Sequence, residues 1–121
     1  MKNKKQVGKA LGRVASGLYV VTAKCEDKED AVLASWVNQC SFDPPAVTIA
    51  LGTLRAARLL VEGSDAFIVN VLPQDDMTLL KHFSRPPEDI FKGVKTRKGL
   101  DGIRILSDAV SYLECEVVHS M

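Results

Sequence analysis

Apolar and polar residues alternate along this chain mostly with the period of strands. Leu18 to Ala23 reads Leu-Tyr-Val-Val-Thr-Ala, a β-branched run that predicts a strand. Cys25 to Asp30 is charged and predicts a hairpin loop, with Ala31 returning the chain. Leu33 to Leu51 then predicts one strand to Phe42, a break at Asp43-Pro44-Pro45 and a second strand. Two successive prolines supply no backbone donors and force an extended turn. Val47, Thr48 and Ile49 have the character of a buried strand. The first arm sets Ser35, Asn38, Gln39 and Ser41 among Leu33, Trp36, Val37 and Phe42. Polar groups hidden beside a Trp must be satisfied by the protein or by a ligand; the alternative is a strand with one wet face.

Helical spacing is confined to short pieces. Val7, Ala10, Leu11 and Val14 recur on one face, with Gly17 as a stop, and predict a helix lying against a sheet. Arg55 to Val61 predicts a second helix, with Thr53 as its N-cap and Gly63 ending it. Ala66 to Leu72 is another buried strand. Asp75 or Asp76 caps a third helix through Met77, Leu80 and Phe83, and Arg85-Pro86-Pro87 stops it. Glu88 to Gly102 reads as irregular, anchored by Ile90 and Phe91. A short strand at Ile103 and Ile105 and a long one from Ala109 to Val118 complete the chain. Strands this close together, without long crossover helices, predict an antiparallel barrel of about six strands.

Composition narrows the class. One domain, 1–121, is expected from 121 residues that are 46% hydrophobic and 26% charged. A net charge of +1 gives no overall pull toward nucleic acid or membrane, and no apolar run is long enough to span a bilayer. Nothing at the N-terminus resembles a signal peptide. Cys25, Cys40 and Cys115 are odd in number and widely spaced, which argues against a disulfide framework or zinc site and fits the cytoplasm.

Motifs of catalysis are few. No Gly-rich loop marks a strand-to-helix junction, so the dinucleotide fingerprint and the P-loop are both missing. His82 and His119 are too isolated for a metal site. Ser41 has no neighbouring His and Asp to suggest a triad. Cys40 reads as a buried packing residue or as a thiol in an interesting place. Lys92, Lys95, Arg97 and Lys98 form a solvated loop or meet an anionic partner.

Five motifs in order carry a resemblance. Ser-x-Asp-Pro-Pro at Ser41 to Pro45, Asp65 to Leu72, His82-Phe83-Ser84, Phe91-Lys92-Gly93 and Leu113-Glu114-Cys115 resemble the flavin reductase family, from about Gly8 to Val118. Leu33-Ala34-Ser35-Trp36-Val37, Leu80 to Phe83 and Ala109 to Cys115 resemble, more closely, the C-terminal flavin reductase domain of cyanobacterial diflavin flavodiiron proteins. No His-x-His-x-Asp cluster of a diiron domain is present. The family's Gly-Asp-His turn and last strand are also missing, so an apparently truncated domain is expected, with a barrel edge left open.

The resemblance implies a mainly β fold, the FMN-binding split β-barrel: antiparallel, Greek-key-like, with short peripheral helices. It implies an NAD(P)H:flavin oxidoreductase domain using FMN in preference to FAD, with NAD(P)H as co-substrate. In the parent protein, electrons would pass onward to a diiron site that reduces oxygen to water. A non-catalytic flavin-binding or dimerisation module is the alternative. Expected partners are flavin and nicotinamide nucleotides, a second copy of the chain, and the diiron and flavodoxin-like domains of the parent. Leu33, Ala34, Ser35, Trp36 and Val37 would edge the isoalloxazine, with Ser41 and Leu51 also at the site. Arg55 and Arg58 would meet the phosphate, near a helix start whose free N–H groups favour an anion, and His82 and Phe83 would close the other side.

Overall fold

The computed structural model describes residues 3–11, 13, 17–52 and 55–121. Among them the order is α1 (Lys4–Leu11), β1 (Tyr19–Cys25), β2 (Lys28–Ala34), β3 (Val37–Phe42), β4 (Pro45–Ile49), α2 (Ala56–Ser64) and β5 (Ala66–Val71). Then follow α3 (Thr78–Ser84), β6 (Thr96–Lys98), a 3-10 turn (Leu100–Gly102), β7 (Arg104–Leu106) and β8 (Ser111–Glu116). All strand pairing is antiparallel. The main sheet runs β2-β1-β5-β8, and β3–β4 and β6–β7 form two separate hairpins. The mainly β architecture with short helices is as expected. Among the described residues the strands number eight, not six.

β1 and β5 lie at the centre because both of their faces are covered. Their unbroken buried runs, Val20–Ala23 with Thr22 as its one polar member and the apolar Ala66–Val69, are what a strand covered on two sides requires. Alternation sends Val21 and Ala23 of β1, with Val32, Ala34, Phe67 and Val69, to one face. There Ala57 and Val61 of α2 cover them, with Val37 and Ile49 of the β3–β4 hairpin packed alongside. Val20 turns the other way, into a cluster with Ala31, Leu72, Leu79, Phe83 and Leu106, so α3 and β7 cover the second face.

A buried polar network ties the second layer to the sheet. Asn70 is fully buried opposite Val20. Its Nδ2 donates to the Val20 carbonyl at 3.0 Å and to Thr22 Oγ1 at 3.2 Å, and its Oδ1 accepts from the Leu106 N–H at 2.9 Å. The Thr22 hydroxyl donates to the Arg104 carbonyl at 2.7 Å. Two side chains thus bind the backbone of β7, a strand of three residues. Arg104 continues the tie outward, with Nε 3.0 Å from Glu29 Oε1, Nη1 2.8 Å from Thr96 Oγ1, and its guanidinium over the Phe91 ring.

Several expectations change. The polar stretch is not one strand: β2 ends at Ala34, Ser35 and Trp36 belong to neither strand, and β3 starts at Val37. β2 pairs in the main sheet, whereas β3 pairs with β4 alone. Val47, Thr48 and Ile49 are half-buried or exposed, since only one face of that hairpin meets the core. α1 buries none of its side chains, so its apolar spacing does not dock it on a sheet. Glu88 to Gly102 is not all irregular, because Thr96–Lys98 pairs with Arg104–Leu106. The last strand is shorter, Ser111–Glu116. The predicted residues Val14 and Thr53 lie outside the described ones.

Helix ends show local causes. Gly63 does not end α2 but sits within it; a Cβ there would stand 2.8 Å from Cys25 Sγ, so glycine lets helix and strand approach. The helix ends at Asp65, in the left-handed region at φ 57°, whose N–H reaches the Val61 carbonyl at 2.8 Å. Asp76 Oδ1 accepts from the Thr78 hydroxyl at 2.6 Å and the Thr78 N–H at 2.9 Å at the start of α3. Those bonds, the hydroxyl's first, hold its carboxyl below the ordinary value. Among the described residues, no helix is long and apolar enough to cross a membrane.

The network predicts a large, specific loss on truncation. Asn70→Ala strands the Leu106 N–H in the interior and takes a donor from Thr22 Oγ1, which keeps its own bond to the Arg104 carbonyl, and costs about 3 kcal/mol of unfolding free energy. Urea unfolding followed by circular dichroism measures it. A loss below about 1 kcal/mol, the worth of one ordinary hydrogen bond, would show that the network is dispensable.

Candidate functional site

A cleft of about 390 Å³ opens where four elements end close together. Val32 and Leu33 come from the end of β2, Ala50, Leu51 and Gly52 from the segment after β4, Arg55 from the start of α2, and Phe83 and Ser84 from the end of α3. The volume falls in the range of small-molecule sites. Its walls are apolar on the β2 and α3 sides and cationic at α2.

Local structure explains the placement. The Ala50 N–H donates to the Trp36 carbonyl at 3.1 Å, extending the β3–β4 ladder and carrying the chain back toward β2. The Arg55 N–H closes a turn onto the Gly52 carbonyl at 3.1 Å and so sets the start of α2. Phe83 is buried and meets both His82 and Phe91 edge-on, with ring centres 4.7 and 6.4 Å away. The His82 Nε2–H points to the Ile90 carbonyl at 2.7 Å, which fixes the loop after α3 to that helix.

Arg55 is the N-cap residue of α2, in extended conformation, and its own side chain does not cap the helix. The Arg55 side chain is exposed, and its guanidinium has no ion pair or hydrogen bond among the described residues. Five donors on a cation at the positive end of a helix make this end of the cleft suited to an anion, with Leu33, Leu51 and Phe83 supplying apolar side chains to the same cleft.

Of the residues singled out from the sequence, Leu33, Leu51, Arg55 and Phe83 come together here. Ala34 instead turns into the core beside Val32. Ser35 and Val37 are half-buried at the β2–β3 junction, and the Trp36 side chain is 69% exposed. Ser41 stands opposite Ala46 near the hairpin turn, outside the lining. Arg58 pairs with Glu62 at 2.9 Å, one helical turn on. His82 lies beside Phe83 but is committed to Ile90. The lining also includes Val32, Ala50, Gly52 and Ser84, which the sequence reading passed over. Gly52 could have been noticed as a glycine between an apolar strand and a helix start, and Ser84 as the last residue of the His82-Phe83-Ser84 motif; Val32 and Ala50 carry no such signal.

The thiols differ. Cys40 is not buried but exposed, at the irregularity in the β3–β4 ladder between Gln39 and Ser41. Burial pushes the Cys115 thiol up, away from the reactive thiolate. Among the described residues no cluster of His, Cys, Asp and Glu could hold a metal ion.

Fold and cleft together define a mainly β domain with a surface cleft that has apolar side chains on two sides and a cation at one end. The chain belongs to the family of flavin reductase-like domains, whose model matches residues 11–121. Diflavin flavoprotein A 1 of Synechocystis sp. is 44% identical over 117 residues, which are 93% of this chain and 20% of that protein. A relative of the same diflavin type from Nostoc sp. is 47% identical over the same shares. This chain thus spans about one fifth of the length of these curated relatives. Among solved structures, the NADH:FAD oxidoreductase of Streptomyces globisporus superposes with TM-score 0.82 at 25% identity, over 98% of this chain and 72% of that one. The flavin reductase HpaC, solved with NADP+, superposes at TM-score 0.81 and 24% identity over 97% of this chain and 75% of its own, a likeness of fold.

Exposure and burial predict the order of thiol modification. At pH 8, a disulfide reagent such as 5,5′-dithiobis(2-nitrobenzoate) reacts with Cys40 first and with Cys115 slowly. Cys40→Ser removes the fast phase. A fast phase that survives this substitution would contradict the assignment.

Proposed function

We propose that the domain binds FMN in this cleft and serves as an NAD(P)H-dependent flavin reductase module. The observation that carries the reading is the Arg55 guanidinium, without an ion pair or hydrogen bond among the described residues, at the start of α2 in a cleft it shares with Leu33, Leu51 and Phe83. Arg55 and the first amides of α2 hold the phosphate. Leu33, Leu51 and Phe83 contact the ring system, with backbone at Ser35, Trp36 and Val37 along its edge. His82 keeps the Phe83 wall in place through the Ile90 carbonyl. FMN, when bound, supplies hydride acceptance from a reduced nicotinamide and onward delivery of electrons, in a diflavin-type parent to a diiron site that reduces oxygen to water. FMN is preferred to FAD because a terminal phosphate dianion suits a single guanidinium at a helix start.

A homodimer belongs to the same proposal. Trp36 and Phe42 on the β3–β4 hairpin are large apolar side chains exposed to solvent, 69% and 86%, and a second copy would cover them. The three free thiols fit a cytoplasmic setting.

Riboflavin, which lacks the phosphate, is the control for Arg55. Arg55→Ala weakens FMN by about 2–4 kcal/mol, the scale for removing one partner of a desolvated charge pair, and leaves riboflavin nearly unchanged. Titration by flavin fluorescence reads both. Equal losses, or none, would remove Arg55 from the phosphate site. Reductase and plain flavin binder separate by eye: NADH or NADPH bleaches the yellow protein without air only if it is a reductase.

A further inference from the structure

We infer that Gly52 is a positioning residue for Arg55, present because any side chain there displaces the guanidinium from the phosphate end of the cleft. The inference rests on the proposed phosphate role of Arg55. Gly52 lies outside the left-handed region, so its backbone does not itself demand glycine. What a side chain would meet is Arg55: a Cβ built at Gly52 stands 3.2 Å from Arg55 Cγ and 4.0 Å from Cδ. Among the described residues, and apart from its chain neighbours, no other heavy atom lies within 4 Å. The Gly52 carbonyl also accepts the Arg55 N–H at 3.1 Å, so one turn sets the Arg55 backbone and the bare glycine leaves a path for its stem. Both residues line the cleft.

The physical consequence is selective. A contact of 3.2 Å between carbons is inside the optimum separation, so one atom must yield. The Arg55 side chain is exposed and flexible, and it yields by rotating near its base. Rotation near the base moves the guanidinium, at the far end, the most. The fold therefore tolerates alanine at position 52, while the bidentate geometry that distinguishes arginine from a point charge is lost.

The experiment is a double-mutant cycle on FMN and riboflavin affinity, read by flavin fluorescence, with thermal unfolding of the flavin-free proteins alongside. Gly52→Ala weakens FMN about tenfold, the size of a misaligned rather than deleted charge-assisted contact, with riboflavin and the melting temperature unchanged. In the Arg55→Ala background the same substitution has no further effect on FMN. If Gly52→Ala weakens both flavins alike, or costs FMN the same factor with and without Arg55, Gly52 does not act through Arg55 and the inference falls. An Arg55→Ala variant that keeps the wild-type ratio of FMN to riboflavin affinity overturns the phosphate reading itself, and this inference with it. Should Gly52→Ala alone not fold, folding of the double variant assigns the clash to Arg55, and failure of both overturns the inference.

Discussion

Everything on the second face of the sheet hangs from the carboxamide of Asn70. It is fully buried, which is costly for a polar group unless each donor and acceptor finds a partner. Here the partners are backbone groups of Val20 and Leu106 and the hydroxyl of Thr22. β7 has three residues and β6 has three, too few to hold a layer by hairpin pairing alone. The side-chain bonds from β1 and β5 substitute for the ladder that the hairpin does not make with the main sheet. Once β7 is docked, Leu106 can join Val20, Leu79 and Phe83 in one apolar cluster. Phe83 is then both a core residue and a wall of the cleft.

The cleft follows from this layering. β1 and β5 need cover on both faces, and the cover comes from separate pieces: α2 and the β3–β4 hairpin on one side, α3 and β7 on the other. Pieces that approach one sheet from two sides leave a seam at its edge. β2 is the edge strand on the side where the two covers meet, and Val32 and Leu33 near its end lie in that seam. The start of α2 opens onto the same place, which puts a cation and the positive end of a helix beside apolar side chains. The cleft is packed at Phe83, which is buried, and open at Arg55, which is exposed.

How much of this could be read from the sequence depends on the range of the interaction. Strand runs at Leu18–Ala23 and Ala66–Leu72 were legible because β-branched residues in unbroken sequence need burial on two faces. The break at Asp43-Pro44-Pro45 was legible because proline acts on its own backbone. Arg55 beside a helix start was legible for the same local reason. The break at Ser35–Trp36 was not, since nothing in those two residues forbids an extended chain; it is set by β3 pairing with β4 instead of continuing in the main sheet. Thr96–Lys98 was hidden for a related reason, as its strand character comes from Arg104–Leu106 across the hairpin.

Side-chain direction was decided by the tertiary structure alone. Residues Leu33 and Ala34 are neighbours of similar chemistry, yet Leu33 lines the cleft and Ala34 does not; alternation alone does not decide this, since Val32, in the same core cluster as Ala34, reaches the cleft as well. Arg55 and Arg58 are equal candidates in sequence, and Glu62, one turn along α2, draws Arg58 into an ion pair. Gly52 reads as an ordinary loop glycine until the Arg55 stem is seen lying across it. The sequence by itself determined the class of fold, the family and the stretch of chain from which the cleft is built, because burial and backbone preference act locally. Which side chains meet in that cleft was settled only by packing, because a face, a partner and a close approach exist only once distant segments are brought together.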